Sequence, residues 1–452
     1  MDAVYDVIAI GGGAAGLGAT RSAAAEGLSA LLIADGPIGG DCTWTGCVPS
    51  KALITHSRSG ASFDDAIAAV HQTIEEIAGA ESAEVLRGEG VDVVRGRGRC
   101  LGNGRVEVDN QVFSAKTIVL ATGARAFVPP ITGLQEVPYL TNENLFELTQ
   151  LPQRFGIVGG GPIGCEMAMA FAGFGAKVSI IDSAPRLLPN EEPEASEVVQ
   201  RVMADAGIEI YTSAGVDGVE QGVDGIRVEM ASGAISVDQL LIATGRSPNT
   251  SGLGLDRIGI ALDPKGHVIV DEKLQTNVEG ISAAGDLTGL APFTHAADEQ
   301  ARLAVGHAQG AKSSWKYDAA ATPGVVFTRP EVARVGVVEA DAPAGSMVAY
   351  FPLSHVDRAI TDGRTDGFVK LIAAPRRFSR HKFGGTLVGA TIVAERAGEM
   401  IHGPTMVLRL GMYVGRLAQV TAAYPTWTTA VQQAAGMFFR PVSGQSARPK
   451  RK

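Results

Sequence analysis

The sequence predicts an α/β protein: two units of parallel strands wrapped by helices, then a C-terminal α+β segment. Three observations predict it. A strand, glycine turn, helix and second strand run from Val7 to Ile33, and the same order returns from Phe155 to Ile181. Each copy is followed by a buried-type apolar run that closes in a Thr-Gly turn, at 118–123 and at 240–245. From about Ala320 the pattern changes to short β-rich runs broken by Pro and Gly, followed by helical segments.

Composition sets the bounds. The 452 residues allow about three domains. Hydrophobic residues make up 45% and charged residues 19%, enough apolar content for large cores. The 57 glycines concentrate in tight turns between apolar runs, as backbone packed closely against ligands requires. A net charge of −9 argues against a nucleic-acid partner. No apolar run approaches the ~18 residues that span a bilayer. The start lacks the basic region of a secretory leader, so a cytoplasmic chain without a membrane partner is expected. The basic end, Arg448, Lys450, Arg451 and Lys452, reads as a solvated tail.

In the first copy, Val7 to Ile10 runs into Gly11-Gly12-Gly13-Ala14-Ala15-Gly16 and an Ala-rich helix to about Glu26. Gly11 makes the tight turn, Gly13 lets backbone approach a pyrophosphate, and Gly16 lets helix and strand pack. The helix start, with Ala14 and Ala15, offers free amides and a positive dipole end to phosphate. Asp35 is the candidate ribose carboxylate, with Ala34 at the strand end itself.

The second copy reads Gly159-Gly160-Gly161-Pro162-Ile163-Gly164, with Glu166 on its helix and Asp182 ending its second strand. Two such loops imply two dinucleotides, a flavin and a nicotinamide. Gly159, Gly161, Ile163 and Gly164 are the expected contacts. A carboxylate at Asp182 accepts from ribose hydroxyls and repels a 2′-phosphate, which favours NADH, while Arg186 leaves NADPH open.

Between these copies lies the run Gly39-Gly40-Asp41-Cys42-Thr43-Trp44-Thr45-Gly46-Cys47-Val48-Pro49-Ser50-Lys51. Cys-x4-Cys sets two sulfurs about one helical turn apart, a spacing that permits a redox disulfide. No second Cys/His pair has metal spacing, so no resident metal is expected. Cys100 and Cys165 have no partner nearby in sequence and read as small buried hydrophobes.

This run resembles the redox-active motif of class I flavoprotein disulfide reductases, the pyridine nucleotide-disulfide oxidoreductases that include dihydrolipoamide dehydrogenase, glutathione reductase and mercuric reductase. The resemblance implies FAD and NAD(P)H as cofactors. It implies Cys47 against the flavin as the charge-transfer thiolate and Cys42 as the interchange thiol. Gly40, Asp41 and Lys51 would lie at the flavin, with Lys51 paired to Glu166. The turns Ala121-Thr122-Gly123 and Thr244-Gly245 would close over the cofactors. Gly285-Asp286 resembles the second FAD fingerprint. Phe293-Thr294-His295-Ala296 opens a helix in which His295 either approaches the flavin or simply starts the helix.

The implied domains are 1–152 and 276–319 for FAD, 153–275 for NAD(P), and 320–440 for dimerisation, with a basic tail at 441–452. The active sites of a homodimer would be shared across the interface.

One departure matters. Where disulfide-reducing members carry His-Pro-Thr and a Glu five residues after the His, this chain has Tyr424-Pro425-Thr426, and Thr429 in place of the Glu. Imidazole trades protons near neutral pH, whereas a phenol with its pKa near 10 does not. There is also no Cys after Cys165, where mercuric reductases carry a C-terminal pair. The expected acceptor is therefore atypical: a metal ion such as Hg(II), a quinone or a special disulfide. An ordinary dihydrolipoamide dehydrogenase, a non-catalytic redox sensor, and a related flavin oxidase or transhydrogenase are the alternatives.

Overall fold

The computed structural model describes residues 4–308, 310, 316–376 and 381–451. They form two units, one of residues 1–130, 139–151 and 241–319, the other of 131–138, 152–240 and 320–452.

In the first unit, Val4–Ile10 lies between Ala30–Ala34 and Gln111–Leu120, all parallel. Ile281–Ala283 extends the sheet beyond Gln111–Leu120, and Val91–Arg95 extends it beyond Ala30–Ala34, again in parallel. Ala30–Ala34 is buried along its whole length, as a strand covered on both faces must be. Each large aliphatic side chain hidden this way contributes about 1.5–3 kcal/mol. The sequence pattern suggests a meander over 91–113. Only its later part makes one: Arg99–Gly102 pairs antiparallel with Arg105–Val108, which pairs antiparallel with the start of Gln111–Leu120. The single helix expected over 63–86 is two, Phe63–Ala80 and Ala83–Gly88. Ser62 and Ser82 cap them by accepting from the amides of Asp65 and Val85.

The helix Ala14–Ala25 packs on Thr294–Ala308. Its small residues permit the approach: a Cβ on Gly18 would stand 2.7 Å from Asp298 Oδ1. This contact carries the start of Thr294–Ala308 toward the glycine loop.

In the second unit, Lys177–Ile181 lies between Arg154–Val158 and Glu209–Tyr211, all parallel. Residues 320–452 add an antiparallel sheet. Its order is Gly324–Val326, Glu331–Gly336, Thr386–Ala394, Phe368–Ala374, Met347–Pro352 and Arg448–Pro449. Phe351, Leu371, Ile392, Trp427 and Val431 share its core.

The basic end is not a solvated tail. Arg448–Pro449 pairs with Met347 and Val348. The Arg448 guanidinium donates to both oxygens of Glu339, at 2.5 and 2.9 Å, and Arg451 donates to Glu194 at 3.1 Å. Lys452 lies outside the described residues. Beneath these groups Lys370, 1% exposed, places Nζ 3.0 Å from Glu192, 3.0 Å from Glu194 and 2.7 Å from Glu339. A charge buried so deeply is tolerated only with such partners.

Candidate redox and nucleotide sites

In the first unit the glycine run folds as its residue types dictate. Gly11 has φ +120°, and a Cβ there would meet the Ala121 carbonyl oxygen at 2.2 Å. A Cβ on Gly16 would stand 1.8 Å from the Gly11 oxygen, so only glycine lets this helix leave its strand. At Gly13 a Cβ would find only the Gly40 Cα, at 3.9 Å, which leaves open space at the helix start. No side chain caps that end, so the first amides remain available. This cradle fits the pyrophosphate of a flavin dinucleotide. Ala14 and Ala15 open the helix, and Asp35 is exposed just beyond the buried strand.

The turns that close the apolar runs come together in this unit. Ala121 N donates to Ile10 O at 2.8 Å. Thr122 Oγ1 donates to Asn249 O at 2.7 Å, and Asn249 N donates to Gly123 O at 3.0 Å. Gly245 O accepts from Phe127 N at 2.9 Å. Gly285 (φ +79°) brings the second fingerprint against Ala15 and Ala297.

Cys42 lies in the short helix Gly40–Trp44, and Cys47 opens Cys47–Ser59, whose second turn begins with Lys51. Gly39 (φ +102°) and Gly40 (φ +60°) turn the chain into this pair of helices. Both cysteines are free thiols, Cys42 half-buried and Cys47 exposed. One hydroxyl serves both: Thr294 Oγ1 donates to Cys42 Sγ at 3.1 Å and stands 3.4 Å from Cys47 Sγ. Cys42 is held well above the usual thiol range. The causes are its hydrogen bond to Cys47, burial and the Cys47 charge, with Thr294 opposing. In the reduced pair Cys42 therefore holds its proton more tightly than an ordinary thiol.

Asp41 and Asp286 meet on a residue to which the sequence pattern assigns no role. Arg246 donates to Asp41 Oδ2 at 2.5 Å, to Asp286 Oδ2 at 3.0 Å and to Ala124 O at 2.7 Å. Burial raises the Asp286 carboxyl above its ordinary value, although Arg246 opposes the shift. Arg246 thus ties the redox run to the flavin fingerprint. Thr294 is equally hidden from sequence pattern, in which its neighbour His295 is the candidate. His295 is the second residue of its helix and stacks on Phe293 with ring centroids 5.4 Å apart.

In the second unit, Gly159 (φ +116°) and Gly164 repeat the first loop: a Cβ on Gly164 would stand 1.9 Å from the Gly159 oxygen. A Cβ on Gly161 would meet nothing within 4 Å, and Ile163 is 38% exposed beside it. Asp182 accepts from the amides of Gly160 and, at 2.6 Å, Ala184. Arg186 is tied down locally, donating to Leu188 O at 3.1 Å, Pro189 O at 2.7 Å and Ser196 Oγ at 2.5 Å. Glu166, 4% exposed, accepts from Phe327 N at 2.9 Å. Lys51 belongs to the first unit and Glu166 to the second. Tyr424 is 74% exposed, and its hydroxyl donates to Asp357 at 2.9 Å. That bond raises the phenol further above its ordinary value. Thr429 donates to Ala423 O at 3.4 Å.

Among the described residues no group of three or more His, Cys, Asp or Glu could hold a metal ion. No described helix is long and apolar enough to cross a membrane.

Residues 5–304 match the pyridine nucleotide-disulphide oxidoreductase family, and residues 322–435 match that family's dimerisation domain. The chain belongs to this family. It is similar to a mercuric reductase of Bacillus cereus, 32% identical across 97% of this chain and 72% of that protein. It is as similar to the dihydrolipoyl dehydrogenase of Bacillus subtilis (strain 168), 32% identical across 95% of each. Among solved structures, the Cu(II) complex of the HOCl-induced flavoprotein disulfide reductase RclA from Escherichia coli superposes with a TM-score of 0.86. It is 27% identical over 96% of this chain and 99% of that one. LpdA of Mycobacterium tuberculosis gives 0.87 at 29% identity, over 96% and 100%. The family is FAD-dependent and uses NAD(P)H. The chain is accordingly a flavoprotein oxidoreductase, and its dimerisation domain indicates a homodimer.

Proposed function

We propose that this enzyme oxidises NADH and passes the electrons through Cys42 and Cys47 to a soft metal ion presented as a thiolate complex. Hg(II) is the acceptor the reading favours, in the cytoplasm, where thiols stay reduced. The observation that carries it is the contrast between the two groups meant to serve the thiols. The sulfur pair is complete and served by Thr294, whereas the residue at the proton-shuttle position is Tyr424, its hydroxyl already engaged by Asp357.

FAD would rest on Gly11, Gly13, Ala14, Ala15 and Gly16, with Asp35, Gly40, Asp41, Lys51, the turn 121–123, Gly245, Gly285 and Asp286 around it. When bound, it supplies two-electron exchange between a reduced nicotinamide and a disulfide. The nicotinamide dinucleotide would rest on Gly159, Gly161, Ile163 and Gly164. NADH is preferred because Asp182 would meet a 2′-phosphate with like charge, while Arg186 is bonded to its own loop.

The residues' own chemistry follows from the thiols. Cys42 gives up its proton as its sulfur replaces one thiolate on the metal, and the displaced thiolate carries that proton away. No separate base has to wait beside it. For Hg(II) the net change is NADH + Hg(II) → NAD⁺ + H⁺ + Hg(0). Attack on a disulfide depends more on a base, and loss of general acid–base help costs about 10²–10⁴-fold. Glu166 would position Lys51, and Tyr424 of one subunit would line the site of the other without shuttling protons.

The likeness to dihydrolipoyl dehydrogenase over 95% of each chain sustains a rival reading, reduction of a dithiolane disulfide. Steady-state NADH oxidation by the FAD-loaded dimer, with lipoamide compared against thiol-buffered Hg(II), separates the two. The proposal expects metal-dependent turnover with lipoamide near background. Fast lipoamide turnover would overturn it.

A further inference from the structure

The second unit contains a cleft of ≈ 490 Å³ lined by Arg329, Arg358, Arg364 and Arg396, with Asp362, Glu395 and the run Pro425-Thr426-Trp427. Four guanidiniums against two carboxylates leave it positive, in a chain whose net charge is −9. The two carboxylates are already paired. Arg329 bonds Glu395 at 2.8 Å, and Arg358 bonds Asp362 at 2.9 Å. Arg364 and Arg396 are exposed, and among the described residues neither guanidinium has a carboxylate or other acceptor. Trp427, 8% exposed, lines the same cleft, and its indole N–H has no acceptor among the described residues.

We propose that this cleft binds a small molecule bearing two or more carboxylate or phosphate groups, gripped by Arg364 and Arg396. The chemistry selects this class. A guanidinium offers a planar fork that matches an oxyanion through two parallel bonds. Two unengaged forks call for two anionic groups, and an indole N–H is a donor only, so it adds a third bond of the same polarity. Glu395 and Asp362 do not oppose the ligand strongly, because each is neutralised by its own arginine. The cleft's volume falls within the range of small-molecule sites. Neither glycine loop of the chain contributes to it.

The test is calorimetric titration of the FAD-loaded dimer, saturated with NAD⁺ to block the second glycine loop, using citrate in one arm and inorganic pyrophosphate in the other. The expected result is saturable binding of at least one probe at one molecule per chain, weakening as salt rises. Arg364→Met with Arg396→Met should weaken it at least about tenfold. Arg105→Met with Arg227→Met removes the same charge from exposed positions elsewhere and should leave it intact. Preference for citrate or for pyrophosphate identifies carboxylate or phosphate as the natural group. Absence of saturable binding, or equal loss in both double variants, would overturn the proposal.

Discussion

The thiol pair of the first unit and the lysine of the second solve opposite problems with similar means. Around Lys370 every charge is answered: three carboxylates meet its ammonium, and Arg448 and Arg451 meet two of those carboxylates from the other side. Burial alone would lower the Lys370 pKa, yet its bonds to Glu339 and the charge of Glu192 raise it. Around Cys42 and Cys47 the Thr294 hydroxyl faces both sulfurs, one sulfur is exposed, and Cys42 holds a proton it must give up to react. A closed centre holds structure, and an exposed one leaves room for a substrate. The two kinds of centre should therefore fail in different assays.

The largest effect is expected at the open centre. Cys47→Ser should reduce turnover by at least about 10³-fold while changing unfolding free energy by no more than about 0.5 kcal/mol. It should also abolish the thiolate-to-flavin absorption band. A large loss of stability in chemical denaturation would mean that the sulfur pair is a packing centre as well, and the contrast would fail.

Lys370→Met should behave in reverse, costing about 3–5 kcal/mol by leaving buried carboxylates without their cation. Turnover per folded molecule should stay near that of the parent protein. The pH dependence sharpens this. Glu339 sits in a partly desolvating environment, but its bonds to Arg448 and Lys370 hold it down to about 2. A carboxyl depressed on folding stabilises the native state above its ordinary value near 4.5, and that contribution disappears as pH falls toward 2. The gap between parent and Lys370→Met should therefore narrow over that window. A gap that widens with acid would contradict the pairing.

What sequence pattern reveals and what it hides follow the same division. Both glycine loops and the cysteine pair are legible because their chemistry is local: φ of +120° at Gly11 and +116° at Gly159 demands glycine within a few residues of the strand. Thr294 and Arg246 are hidden because they reach Cys42 and Asp41 across 252 and 205 residues of chain. The tail reads as solvated for the same reason, since Arg448 meets Glu339 across 109 residues. Val91–Arg95 reads as part of the meander because its pairing, parallel to Ala30–Ala34, is set by residues some sixty positions away.

Thr294→Val tests the open centre more gently. The hydroxyl donates to Cys42 Sγ, so losing it removes a side-chain hydrogen bond, about 0.5–1.5 kcal/mol. Because Thr294 opposes the upward shift at Cys42, its loss should move titration of the reduced pair upward, by no more than about one pH unit. The measurement is the alkylation rate of the reduced enzyme against pH. An unchanged profile would assign Thr294 to packing alone.

The smallest effect is expected where the closed centre meets solvent. Arg448 is 34% exposed, so its bond to Glu339 is partly screened, and Arg448→Ala should cost only about 1 kcal/mol. Lys370 remains to answer Glu339, which is why the loss is smaller than at Lys370 itself. A cost near that of Lys370→Met would show that the C-terminal strand seals the network rather than decorating it. Denaturation of the two variants side by side, at low and high salt, distinguishes these outcomes, because a solvent-facing pair weakens with salt and a sealed one does not.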